Sequence, residues 1–430
     1  MRSAYSCLFV LAIPLILLRL LWRSIKAPAY RSRWNERFAC YSRTVSPVDI
    51  WCHAVSVGEA EALFPLIRQI QQKQSGCRIL VTTTTPTGSA RVQAVLQKTV
   101  EHVYLPYDTP YSVKRFFCAF KPRIAVIMET EIWPNLFSYC GLFGIPLYVV
   151  NARLSEKSMR GYQKIPAIIR PALSQIALIS AQTQADADRF VAIGASPLTV
   201  QTLGNIKFDV EIPQSIIDQS KQIKQQLFSG RFVWLAASTH QGEEAALLKV
   251  YQQLKPQLPD LLLVIVPRHP ERFGEVAKLC QQNKLNIITR TSKQATAANT
   301  DILLVDTMGE LKMFYAAADA AFVGGSLVPT GGHNVLEAAA VGAPVLFGPF
   351  MHNFKDIADR IVEQKAAILC QNEAALAEAL LDLYEKPAYR QELVAKGKQF
   401  IEQNQGTLNR IYAILETAIT KLPGQENWPN

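Results

Sequence analysis

The eight cysteines of this 430-residue chain are scattered singly, and no two stand in C-x-x-C spacing. Neither a metal site nor a disulfide framework is implied, and a reducing compartment is the natural setting. Charged residues are scarce, 19% against 49% hydrophobic, which excludes a disordered chain and marks a globular one with an apolar bias. None of the six histidines stands in H-x-x-x-H spacing, so phosphate contacts or turn packing suit them better than metal ligation. There is no basic stripe interleaved with aromatics, which puts nucleic acid behind the other acidic partners. The 45 Lys and Arg outnumber the 35 Asp and Glu for a net charge of +10. That excess calls for an anionic lipid surface or a phosphorylated substrate.

Long apolar runs are rare as well, with one exception at the start. Residues 7–22, CLFVLAIPLILLRLLW, carry a single charge, Arg19, and are followed by Arg23, Lys26, Arg31 and Arg33. A cleaved signal peptide would carry its positive charge ahead of the apolar core, and here only Arg2 does. Residues 1–26 therefore read as an uncleaved membrane anchor. The basic cluster after it keeps the body of the protein on the cytoplasmic side, whether the anchor spans or lies in the interface.

The remainder alternates apolar strands with helices. Strands are expected at 50–56, 78–85, 124–130, 147–150 and 176–180, then at 232–237, 261–266 and 301–305. Continuous apolar runs of this kind suit parallel sheets covered on both faces. The pattern breaks at 204–213, GNIKFDVEIP, where a Gln-rich helix starts. This divides the chain into a Rossmann-like domain 27–207 and a second one 208–400, with a helix in 401–430 packing back on the first. Ligands of such sheets bind beyond the carboxyl ends of the strands, where polar and acidic residues gather.

The stretch 322–350, FVGGSLVPTGGHNVLEAAAVGAPVLFGPF, reads as strand, glycine-rich loop, helix and strand. A helix opening at Gly331-Gly332 would offer backbone N–H groups and a positive helix end to a phosphate. Asn334 and Glu337 would share a face of its first turns and meet ribose hydroxyls, or else merely cap the helix. Arg268, between two prolines at a strand end, is placed for bidentate anion binding. Glu59 stands just after the first strand at a helix start. There the helix dipole would depress its pKa and suit a cap, unless burial under a bound lipid reversed the shift. Glu129 and Glu131 straddle another strand end.

These residues fall in words that together resemble the 3-deoxy-D-manno-octulosonic acid (Kdo) transferases. The words are WNERF (34–38), HAVSVGEA (53–60), TTTTPTG (82–88), PYD (106–108), METEIWPN (128–135), NARLS (151–155), GNIKFD (204–209), STHQGEE (238–244), PRHPERF (267–273), DTMGEL (306–311), GGSL (324–327), GGHNVLE (331–337) and GAPVLFGP (342–349). Ala39 stands where a glycine commonly follows, and Val335 and Ala338 where prolines are often seen. The resemblance implies an α/β GT-B fold, two doubly wound domains facing across a cleft. It implies an inverting transfer of Kdo from CMP-Kdo to lipid IVA at the cytoplasmic face of the bacterial inner membrane, with no metal or other cofactor. On this resemblance Glu59 is the general base. Lys207, Ser238, Thr239, Arg268, Met308, Gly331, Gly332, Asn334 and Glu337 bind the donor. Gly58, Glu129, Glu131 and Arg153 meet the Kdo or the acceptor. A GT-B transferase of a UDP-sugar on another membrane lipid, or a non-catalytic membrane-tethered nucleotide-binding protein, is the rival reading.

Overall fold

The computed structural model describes residues 1–41, 46–228 and 230–420. Two compact units make up the chain: Met1–Lys207 together with the segment from Gln405, and Phe208–Asn404.

The first unit holds a seven-stranded sheet: β1 (Ile50–His53), β2 (Ile79–Thr83), β3 (Glu101–Tyr104), β4 (Ile124–Met128), β5 (Leu147–Ala152), β6 (Ile176–Ala181) and β7 (Val200–Thr202). Its order is β3-β2-β1-β4-β5-β6-β7, and every pairing is parallel. Both faces are covered. Trp51 of β1 packs into one apolar cluster, while its neighbours Ile50 and Cys52 pack into another, as the two-residue period of a strand requires. The expected strands 50–56 and 78–85 end early, at His53 and Thr83, because Ser56 and Thr85 already cap the helices Val57–Lys73 and Pro86–Leu96. The helix Thr407–Thr420 lies against Val57–Lys73, and Leu408, Ile411, Tyr412 and Leu415 join the core cluster beneath it.

The second unit repeats the plan with β8 (Phe232–Thr239), β9 (Leu261–Pro267), β10 (Ile287–Thr289), β11 (Ile302–Leu304), β12 (Ala320–Val323), β13 (Val345–Phe347) and β14 (Ile368–Leu369). Its order is β10-β11-β9-β8-β12-β13-β14, again all parallel. Each sheet has one point where the winding reverses, between β1 and β4 and between β8 and β12. Crevices that bind ligands in open α/β sheets form there.

One expectation fails. No helix opens at Gly331-Gly332. Residues 331–334 are irregular, and the helix runs only from Leu336 to Val341. Asn334 stands ahead of it, its Oδ1 accepting the Leu336 N–H at 3.1 Å, so a long helix dipole is not what this loop offers.

Candidate active site

In the first unit, the chain leaving β1 turns at Ser56 into the helix Val57–Lys73. Ser56 Oγ accepts the Glu59 N–H at 3.5 Å, and the Glu59 carboxylate reaches back to accept from Val55 N–H at 2.7 Å and Ser56 Oγ–H at 3.1 Å. Glu59 is thus a helix cap of the capping-box kind. It is also more. Burial raises its pKa to about 7, and the like charge of Glu129 adds to the rise, while the Val55 and Ser56 hydrogen bonds and the charge of Lys207 oppose it. The depression expected from the helix end is overturned by desolvation, which the protein supplies without any bound lipid. Gly58 is exposed, and a methyl built on it would meet nothing closer than Ser56 Oγ at 3.9 Å.

Glu129 and Glu131 follow β4, across the reversal point from Glu59. Glu129 is held in the left-handed region, φ 56°, a conformation that costs an ordinary residue about 1 kcal/mol or more. Glu131 accepts a hydrogen bond from Trp133 Nε1 at 2.9 Å, and burial followed by the charge of Glu59 pushes its pKa up to about 7. Asp108 of the PYD word anchors this loop. Its carboxylate accepts from Asn135 N–H at 3.0 Å and Leu136 N–H at 2.8 Å, capping the helix Pro134–Leu142.

Lys207, which the resemblance groups with the donor-binding residues, is the last residue of the first unit, where the expected boundary at 207 also places it, and its charge acts on Glu59. Asn151 sets that position. Buried at φ 54°, it accepts the Ile206 N–H on Oδ1 at 3.0 Å, while Asn205 donates to Gln182 at 2.9 Å. Arg153, just beyond β5, is exposed.

In the second unit, β8 ends at Ser238, whose φ is 55°, and Thr239. Thr239 Oγ1 donates to Glu244 at 2.9 Å, and Arg272 grips the same carboxylate at 2.6 and 3.1 Å. Glu243 beside it is fully buried. It accepts four backbone N–H groups, from His240 (3.0 Å), Gly325 (2.7 Å), Ser326 (2.9 Å) and Leu327 (2.9 Å). The amides of the GGSL turn are therefore filled by the protein's own carboxylate. A side chain at Gly324 could not fit there, because its Cβ would lie 2.6 Å from the Ser238 carbonyl.

The Gly331-Gly332 loop is tighter still, with φ of 108° and 72° and no room for a Cβ against Asn353 and Met351. The Gly332 N–H donates to the Gly325 carbonyl at 2.7 Å and so is not available to a phosphate. The N–H groups of Gly331, His333, Asn334 and Val335 have no acceptor among the described residues. The loop thus keeps N–H groups unpaired among the described residues, that of Gly331 included as expected, although Gly331 and Val335 themselves are buried.

His240 and His333 stack at 5.0 Å with 14° between their planes, and their Nε2 atoms share a hydrogen bond at 2.8 Å. Burial and the neighbouring charges push His333 down to about 4 and His240 below its usual value. Arg268 is one of those charges. It is exposed and makes no ion pair or side-chain hydrogen bond among the described residues. Glu337 lies in the first turn of the short helix, its charge acting on Tyr315. Met308 lines a concavity of about 780 Å³ with Arg290, Thr307 and Glu310.

Glu243, Glu244 and the histidine pair escaped the sequence reading. Two acids in the first turn of a helix look like ordinary dipole partners. Only the fold reveals that both of them are buried.

Residues 32–210 match the family described as 3-Deoxy-D-manno-octulosonic-acid transferase (kdotransferase), and residues 235–400 match Glycosyl transferases group 1. A 3-deoxy-D-manno-octulosonic acid transferase of Haemophilus influenzae is 39% identical over 96% of this chain and 98% of its own. One of Bordetella pertussis is 34% identical over 85% of this chain and 86% of its own. Among solved structures, UDP-GlcNAc 2-epimerase from Neisseria meningitidis superposes with a TM-score of 0.55 at 15% identity, covering 87% of this chain and 100% of that one, a likeness of GT-B-type fold alone. With near full-length identity of that order, and the acidic and glycine-loop words lying at the reversal points of its two sheets, the chain belongs to the 3-deoxy-D-manno-octulosonic acid transferase family of glycosyltransferases.

Proposed function

We propose that this protein moves Kdo from CMP-Kdo to the glucosamine disaccharide of lipid IVA, with inversion, in lipopolysaccharide synthesis. The observation that carries the reading is Glu59, a carboxylate at the reversal point of the first sheet whose pKa is raised by burial to about 7. A base is most effective when its pKa lies near the working pH. Glu59 takes the proton of the attacking acceptor hydroxyl, and that oxygen bonds to the anomeric carbon of Kdo. The bond from that carbon to the CMP phosphate oxygen breaks through an oxocarbenium-like state, and CMP leaves with the electron pair.

The single phosphate of CMP is met by Arg268, the loop after Ser238 and Thr239, and the open amides around Gly331, with Gly332 shaping the loop. Asn334 and Glu337 take the ribose, and Met308 borders the cytosine. Positive charge aimed at a departing phosphate stabilises the transition state without a metal ion. Glu129, Glu131 and Arg153 position the sugar or the acceptor headgroup, exposed Gly58 lets the acceptor approach closely, and Lys207 favours the ionised form of Glu59.

The test is direct. Purified protein incubated with CMP-Kdo and lipid IVA should yield a product heavier by whole Kdo residues, and CMP should raise Tm where UDP does not. Protection by UDP alone, with no mass gain, would favour the UDP-sugar reading.

A further inference from the structure

The N-terminal helix Arg2–Lys26 is the one described helix long and apolar enough to cross a membrane. Its 25 residues span roughly 37 Å at the usual rise, beyond the roughly 30 Å of a hydrocarbon core. Yet its first turns are fastened to the first unit by polar contacts. Tyr5 O–H donates to Asp108 at 3.0 Å, and Ser6 Oγ–H donates to Asn135 Oδ1 at 3.1 Å. Phe9 meets Trp133 edge-on at 6.5 Å, and Arg2 shares a concavity with the helices Pro134–Leu142 and Pro166–Leu173.

The other end is tethered to the same unit through the seven residues that follow it. Ser24 Oγ accepts from Arg31 Nε at 3.0 Å, and two residues later Arg33 donates to Ser89 Oγ at 3.0 Å and to the His102 carbonyl at 3.1 Å. A helix bound to a folded unit at its start, and tied back to that unit within seven residues of its end, is poorly placed to cross a bilayer that the unit does not enter. Between those ends, Tyr5, Phe9, Ile13, Ile16 and Leu20 are half covered at three- and four-residue spacing, whereas Leu8, Leu11, Leu15, Leu18 and Trp22 are exposed. Arg19 and Arg23 stand exposed among those apolar residues, where a span would have to bury them at high cost and an interface would not.

We infer that this helix lies flat in the surface of one leaflet of an anionic bilayer and does not span it. Basic residues beside exposed leucines and a tryptophan match the headgroup boundary of such a leaflet, with phosphates outside and acyl chains beneath. The clamp at Trp133 has a second consequence, because the same indole donates to Glu131. The membrane-facing helix is thereby one side chain away from the acidic site, which sets that site near headgroup level for a lipid acceptor. This last step rests on the function proposed above; the flat placement does not.

The full-length Ser6→Cys/Asn135→Cys protein decides the matter. Mild oxidation should staple the helix to the body in native membranes, seen as a complete mobility shift without reductant. The stapled protein should float with vesicles containing about a quarter phosphatidylglycerol as well as the reduced form does. Failure to form the staple in membranes, or loss of flotation on stapling, would overturn the inference. Ser3→Cys, in a protein whose exposed Cys7 and Cys118 are replaced by serine, provides an independent arm. Labelling by an impermeant maleimide from the outer face of right-side-out vesicles means a spanning helix, and its absence there alongside labelling after permeabilisation means a flat one. These readouts do not depend on which reaction the protein catalyses.

Discussion

At Glu59 two forces act on one carboxylate. The helix start and the Val55 and Ser56 hydrogen bonds favour the anion, while burial and the facing Glu129 favour the acid. Burial wins, and the same is true at Glu131. At Glu131 the charge of Glu59 adds to the rise. A carboxyl that holds its proton to about pH 7 when folded, but loses it in the ordinary range when unfolded, costs stability as pH rises through that window. The loss is absent at pH 4 and complete above pH 7. Glu131→Gln should therefore raise Tm relative to the parent at pH 8 and leave it unchanged at pH 4, as read by differential scanning calorimetry. In the parent, kcat/KM should climb with pH about a midpoint near 7. A Tm gain of equal size at both pH values would mean that the ionised carboxyl carries no burial penalty. Ala39 shows strain of another kind. It sits at φ 54°, and its methyl is packed in the core.

Among the elements, the turn after β12 is the one most dependent on a single distant side chain. Gly325, Ser326 and Leu327 present their N–H groups to Glu243, and His240 adds a fourth from the end of β8. Glu243→Ala would leave these donors buried without an acceptor, at about 1–3 kcal/mol each before relaxation. Water entry and backbone shifts should hold the total to about 3–5 kcal/mol, the upper range for single substitutions. Urea unfolding should show that loss, and a change under about 1 kcal/mol would contradict the role given to Glu243. The strands and the acids at their ends were legible in the sequence because both signals are local. An apolar run makes the strand, and S-x-x-E after it makes the cap. What sequence could not disclose depends on partners far along the chain: Glu243 filling a turn more than eighty residues away, His240 meeting His333, Lys207 brought to Glu59 through Asn151. The glycines of the 331–332 loop suggested a helix start, but they serve left-handed turns that delay the helix to Leu336.

The whole molecule repeats one doubly wound plan twice and gives the two copies different chemistry. The first unit gathers carboxylates at its reversal point, and the second gathers histidines, an exposed arginine and open amides. An excess of ten positive charges over the chain suits both a phosphorylated donor and an anionic membrane. If Glu59 is the base of the proposed transfer and takes no part in holding the donor, a defect confined to it should separate binding from turnover. The decisive measurement is kcat for Glu59→Gln alongside its CMP-Kdo affinity by calorimetry. The account predicts a loss of roughly 10²–10⁴-fold in kcat with donor affinity unchanged. A variant retaining more than about a tenth of the parent rate would reduce Glu59 to a helix cap and contradict it.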